Sequence, residues 1–240
     1  MTFRPMLWPT LLGAVALVIL ISLGNWQMDR LAWKEGLLAR IEAGLAADPQ
    51  PLPPRDAWAN LDPEAFTYTP VTVTGTFDHA REVHAYITSI DGEAGYHVIT
   101  PLALEGGGHV LVDRGFVPVS RKAAATRTEG QIEGPVAFTG IAITPEDANA
   151  FTPEPDLDGN VWYHRPVNRI AQELGIAPVF PLMIDAGPAP VPGGYPVGGQ
   201  TRLALKNPHL GYAFTWYGLA ATLVGVWLAF HIARGRIGLK

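Results

Sequence analysis

The sequence predicts an α+β membrane protein: two transmembrane helices flanking a compact β-rich extramembrane domain, barrel- or sandwich-like, with short helices. Three observations carry that prediction. Two apolar runs, Leu7 to Trp26 and Leu210 to Ile232, contain no Asp, Glu, Lys or Arg, and each has about the ~20 residues a helix needs to cross a bilayer. Charged residues make up only 16% of the 240-residue chain and hydrophobic ones 48%, a skew from ordinary soluble composition that these two runs largely explain. Between them, short β-branched segments alternate with turn residues. The boundaries expected are 1–6, a tail; 7–26, the first transmembrane helix; 27–208, the β-rich domain with an N-terminal helical extension; 209–232, the second transmembrane helix; and 233–240, a tail.

The elements follow in chain order. Leu7 to Trp26 also has a signal-peptide reading, with Arg4 as the positive start and Ser22-Leu23-Gly24 as small residues before a cut at Asn25. The run is long for the apolar part of a signal, which favours an uncleaved anchor. Only five residues precede Met6, too few for a mitochondrial presequence, so a bacterial inner-membrane protein is expected. The first helix should continue through Gln27, Arg30, Trp33 and Lys34 toward Ala46, until Pro49, Pro51, Pro53 and Pro54 stop it. Proline lacks the N–H and clashes with the preceding turn.

Strands are then expected at Tyr68 to Phe77, Glu82 to Ile90, Tyr96 to Leu104, His109 to Val117, Gly134 to Thr144 and Val179 to Asp185. Asp91-Gly92 reads as a turn and Gly106-Gly107-Gly108 as a break. A short helix is expected from Val167 to Leu174, ending at Gly175. Gly187 to Gln200, rich in Gly and Pro, reads as an irregular loop. No internal repeat is evident.

Composition excludes several functions. Net charge is -5 and the Lys and Arg are scattered, so nucleic acid is not an expected partner. The chain has no cysteine, which excludes disulfides, thiolate metal sites and Cys nucleophiles. Its serines, Ser22, Ser89 and Ser120, lie in no Gly-x-Ser-x-Gly turn. There is no His-Glu-x-x-His and no phosphate loop. Copper delivery is poorly supported, since Met occurs only at 1, 6, 28 and 183. The chain is therefore not expected to be an enzyme. Membrane orientation is not decided by charge: Arg4, Arg234, Arg236 and Lys240 lie on the tails, and Arg30, Lys34, Arg40, Arg202 and Lys206 on the loop side.

The candidate site lies where the two helices meet the loop side. On a 3.6-residue helix His209, Tyr212 or Ala213, Trp216 and Ala220 share one stripe, and Trp26, Arg30 and Trp33 share another. If both segments span, Trp26, Arg30, Trp33 and Lys34 lie at the depth of His209 and Tyr212. Taken singly, these are belt residues: Trp and Tyr favour the headgroup level, and Arg and Lys snorkel there. His209 also suits a plain helix start, after Asn207 as a cap and Pro208 in the first turn. The sharper reading is a ligand site. Neutral imidazole can bind haem iron axially, aromatic rings can line a porphyrin, and Arg30 and Lys34 can pair with propionates. His79, His84, His97, His109 and His164 are scattered over strands and loops without metal-site spacing. They read as surface or hydrogen-bonded residues. Asp113 and Arg114 could face a partner.

These residues carry a resemblance. Leu23-Gly24-Asn25-Trp26-Gln27 with Arg30, Trp33 and Lys34 resembles the N-terminal signature of the Surfeit locus protein family, assembly factors of haem-copper cytochrome c oxidase. Pro70 to Phe77, Gly95 to Leu102 and Val110 to Pro118 resemble its next motifs, and Asn207 to Ala220 the motif that opens its second membrane helix, where the family often has Asn in place of Pro208. The matches cover nearly the whole chain in order. The resemblance implies a two-pass inner-membrane protein with the central domain on the outer side, the periplasm in bacteria or the intermembrane space in mitochondria; for the bacterial protein expected here the tails are cytoplasmic and the domain periplasmic. It further implies a role in placing haem A into oxidase subunit I, in the company of haem A synthase, with the family's proposed axial histidine mapping onto His209. The alternative is a scaffold that binds no haem and holds the synthase or the nascent subunit I through helix contacts.

Overall fold

The computed structural model describes residues 2–144, 148, 151–201 and 207–238. Arg202, Lys206 and Lys240 of the charge comparison lie outside these. In chain order the elements are β1 (Thr2–Phe3), α1 (Leu7–Leu45), β2 (Gln50–Pro51), α2 (Pro63–Phe66), β3 (Pro70–Phe77), β4 (Val83–Tyr86), β5 (Gly95–Leu104), β6 (His109–Pro118), β7 (Pro135–Ile143), β8 (Val161–Trp162), α3 (Val167–Glu173), β9 (Met183–Ala186), α4 (His209–Ala233) and β10 (Ile237–Gly238). They form two compact units, one of residues 1–40 and 204–240, the other of residues 41–203.

The first unit is an antiparallel helix pair. Both α1 and α4 are long and apolar enough to cross a membrane. The less exposed positions of α1 fall at Gly13, Leu17, Leu20, Gly24, Gln27, Leu31 and Lys34, alternately four and three apart, the spacing that keeps one stripe facing a neighbouring helix. On α4 the matching stripe is His209, Ala213, Trp216, Ala220, Leu223, Trp227 and His231. Small residues set the approach: a Cβ added to Gly24 would stand 2.5 Å from the Tyr217 ring, and Ala213 and Ala220 are buried. At the far end β1 pairs with β10, Phe3 opposite Ile237. His231, fully buried, accepts the Met6 backbone N–H at Nε2 (3.1 Å) and donates from Nδ1 to the Trp227 carbonyl (2.8 Å).

The second unit is a closed barrel. Five strands form a ring in the order β3-β7-β9-β6-β5 and back to β3, antiparallel except for β6 with β9. The expected choice between barrel and sandwich thus resolves to a barrel. Period-two alternation turns Val71, Val73, Leu102, Val110, Val112, Ala142, Leu182 and Ile184 inward, where they form the core with Trp58 and Phe180. Trp58 meets Phe180 edge-on at 5.4 Å and donates its Nε1–H to the Pro53 carbonyl.

Past an irregularity between His97 and Ile99, β5 continues to pair with β4, whose other edge takes β8. A second core lies here, under α3: Val83, Ala85, Ile99, Leu111, Trp162, Val167, Ile170 and Met183. Gly175 ends α3 in the left-handed region (φ 63°), and Ile176 N–H returns to the Ala171 carbonyl.

Differences from the sequence reading are local. The second strand is Val83–Tyr86 rather than Glu82 to Ile90, because its pairing with β5 ends at Tyr86 and the chain then turns at Ser89. The last strand starts at Met183 rather than Val179: Phe180 N–H donates to the His109 carbonyl, and its ring drops into the core. The two-residue strands β2 and β8 are too short to show a period.

Candidate functional site

In the helix unit, His209 stands at the first residue of α4, half-buried. Its Nδ1 lies 2.7 Å from Oε1 of Gln27, a buried side chain of α1. An amide carbonyl accepts, so Nδ1 carries the proton and the lone pair of the neutral ring sits on Nε2. One rung further along, Tyr217 donates its hydroxyl to Oδ1 of Asn25 (2.8 Å). Two polar side chains of α1 therefore hold the loop-side end of α4.

The other expected site residues are placed as follows. Trp216 is half-buried on the same stripe as His209, and Tyr212 is exposed. Trp26, Arg30 and Trp33 share a face, as their spacing requires, but the less exposed stripe runs one residue further on, through Gln27, Leu31 and Lys34, and it meets α4 at Gln27. All three are exposed, with the Arg30 guanidinium 4.9 Å over the Trp33 ring. Lys34 is half-buried. His209 is thus brought against Gln27 rather than against Arg30. Two grooves run along the opposite part of the helix pair, lined among others by Thr10, Gly13, Leu223 and Trp227.

As a donor set, this end suits an iron porphyrin in one respect: a neutral imidazole whose N–H is fixed by a carbonyl is how metal-binding histidines are oriented. Arg30 and Lys34 are the cations on the same stretch of α1. Gln27 was absent from the sequence-derived set. The signal that finds it is its place in the three-and-four spacing, where it is the polar member between Gly24 and Leu31.

The β domain holds two buried charged networks. In the first, Asp113 accepts from His97 (2.8 Å), Arg165 (2.7 Å) and the Gly115 backbone N–H (2.9 Å). Arg165 also reaches Asp185 (2.9 Å), and Thr201 donates to the same carboxylate. Burial alone would raise Asp113, but the His97 and Arg165 charges and these hydrogen bonds hold it at about 2. Asp185 has fewer donors, and burial raises it to about 6. His97 is raised above 6.5, the facing carboxylates outweighing its burial. In the second network, Glu82 and Arg127 are paired through both carboxylate oxygens, with His84 beside them at 3.4 Å. Of the histidines read as surface or hydrogen-bonded, His84, His97 and His164 are buried, and His97 and His84 are held by Asp113 and Glu82.

Fold and helix contacts define a class: a protein with two apolar helices, long enough to span a bilayer and latched together by polar side chains, that carries a closed β-barrel domain between them in sequence. The family model of the SURF1 family matches residues 14–221. Surfeit locus protein 1 of Homo sapiens is 37% identical over 239 residues, covering 92% of this chain and 77% of its own length. That of Gallus gallus is 37% identical over 232 residues, 88% of this chain and 72% of its own. A SURF1-like protein of Monosiga brevicollis is 38% identical over 237 residues, 93% and 88%. The chain belongs to the SURF1 family.

Proposed function

We propose that this protein is an assembly factor for haem-copper cytochrome c oxidase, which holds haem A at the loop-side end of its helix pair and passes it to subunit I. Family membership supports the assembly role. The observation that carries the haem part is the contact of His209 Nδ1 with Gln27. It fixes the ring across two helices and leaves Nε2 as the donor atom. A bound haem would supply an iron for that nitrogen. Gln27 orients the ring, and Arg30 and Lys34 are the cations for the propionates. Trp26, Trp33, Tyr212 and Trp216 offer flat apolar faces at the same end. The two-pass arrangement in a bacterial inner membrane, tails in the cytoplasm and barrel in the periplasm, belongs to the same proposal, as do haem A synthase and subunit I as partners.

The experiment is an absorption spectrum and pyridine haemochrome of the full chain purified from cells that make haem A. Haem at near one per chain, largely lost in His209→Ala and spectrally shifted in Gln27→Leu, is the expected result. Full retention in His209→Ala refutes the ligand assignment.

A second reading, a scaffold without haem, draws on a different observation. Ala213 and Ala220 are used up in the α1 seam, but Gly211, Gly218 and Gly225 lie seven apart on α4 with open space at each Cβ position. Small residues let another membrane helix approach closely. Copurification of the synthase or subunit I with a haem-free chain, lost in Gly218→Leu, would favour it.

A further inference from the structure

We propose that the mouth of the β-barrel is a binding site for a small monocarboxylate with an apolar body, held by Arg114. The argument begins with alternation along β6. Val110 and Val112 face the barrel interior, while Leu111 packs in the second core and Asp113 joins the network outside. Arg114 is the next inward position. It places a guanidinium, only 4% exposed, where the two preceding positions of its column are valine.

A charge so placed is costly unless it is paired. The described residues give Arg114 a hydrogen bond to the Gly130 carbonyl, one to Nδ1 of His79 (3.5 Å) and a stacking contact over the Phe77 ring (4.8 Å). Among them no carboxylate forms an ion pair with it, since Glu82 is engaged by Arg127 and His84. Burial draws Arg114 down to about 10, opposed by the Glu82 charge and abetted by that of Arg127. Among the described residues the cation has no carboxylate in ion-pair contact, and the nearby Glu82 charge is shared with Arg127 and His84.

Arg114 lines a cavity of about 350 Å³. Its other walls include Phe77, Ile132, Val136, Phe138 and Val191, with Phe77 and Phe138 stacked at 5.9 Å. At the ~30 Å³ that a water molecule takes up in the liquid, this is the space of roughly a dozen waters, room for a two-ring organic acid. One cation on apolar walls matches one negative charge on an apolar body. A phosphate dianion would keep an uncompensated charge in the same apolar surroundings. Guanidinium and carboxylate also pair through two parallel hydrogen bonds.

The test uses the full chain in nanodiscs of zwitterionic lipid and equilibrium dialysis with 2-naphthoate, a carboxylate of this size, beside the neutral 2-naphthamide. Saturable one-to-one binding of the naphthoate is expected, with the amide about tenfold weaker or worse. Arg114→Gln should weaken naphthoate to the level of the amide. Ala189→Trp, on the exposed loop that rims the cavity, keeps Arg114 and should block both ligands. It decides the matter if Arg114→Gln fails to fold. Equal binding of acid and amide, or naphthoate binding unchanged in a folded Ala189→Trp protein, overturns the proposal. So does binding of an apolar peptide through its free C-terminal carboxylate with none of naphthoate.

Discussion

Glu82→Gln tests the energetics of the barrel domain most directly. The Glu82 side chain is buried, and its carboxylate titrates at about 2 rather than 4.5. Burial opposes that shift; the hydrogen bonds from His84 and Arg127, with their charges, exceed it. A carboxylate whose pKa is depressed on folding stabilises the fold above its unfolded value, and that stabilisation is lost as pH falls through the folded value. At pH 7 the shift amounts to about 3 kcal/mol. The same figure lies within the ~3–5 kcal/mol cost of removing one partner of a buried pair, which here leaves Arg127 buried and uncompensated. At pH 3, where wild-type Glu82 has begun to protonate, the difference between the two proteins should shrink to roughly 1.5 kcal/mol. Urea unfolding followed by near-ultraviolet circular dichroism, run on both proteins at each pH, measures it. Titrations of groups out of reach of Glu82 are common to both and cancel, and running the pair again in a His84→Gln background removes the coupled imidazole. A difference that stays constant from pH 7 to pH 3 would refute the electrostatic account and leave only packing.

Three further outcomes are expected. In the other network Asp113→Asn should cost about 2 kcal/mol at pH 7, because Asp113 is held at about 2 by its donors, whereas Asp185, raised to about 6 by burial, is destabilising when ionised, so Asp185→Asn should cost less than about 1 kcal/mol or stabilise; urea midpoints at pH 7 rank them. Phe180→Ala, which removes a fully buried ring packed on Trp58 and Phe66, should cost about 3–5 kcal/mol by the same measurement. Gly24→Leu should force Tyr217 away and separate the helices, seen as a fall in disulfide yield between cysteines placed at 27 and 209 in a chain that has none of its own.

The strands were legible where one face is buried and the other wet. In β3 the buried Val71 and Val73 alternate with the exposed Thr72 and Thr74, and that contrast is what a period-two pattern reports. Barrel closure was not legible, because it depends on β5 meeting β3 only from Leu102 onward, a pairing between segments that carry no mark of each other. The His209 end was legible as a cluster, but not its seam. Exposed aromatics such as Trp26 and Trp33 stand out in a sequence, whereas Gln27 does so only once the register of two helices is known. The buried Asp113 and Glu82 networks escaped notice for a related reason: each joins residues far apart in the chain, and nothing local distinguishes a buried His97 from a wet one.

The helix pair carries a polar latch at each end, Gln27 with His209 and the Met6 backbone with His231. Along α1 these are separated by roughly 30 Å at 1.5 Å per residue, about the hydrocarbon thickness of a bilayer. In the two-pass arrangement proposed above, the pair would work as a caliper. Lipids with longer tails would draw the latches into hydrocarbon, where an unmade hydrogen bond has no water to replace it and both would hold more tightly. Shorter tails would bring water to the Gln27 end and free the imidazole ring. The acyl-chain length of the surrounding membrane would thereby set how firmly His209 is aimed.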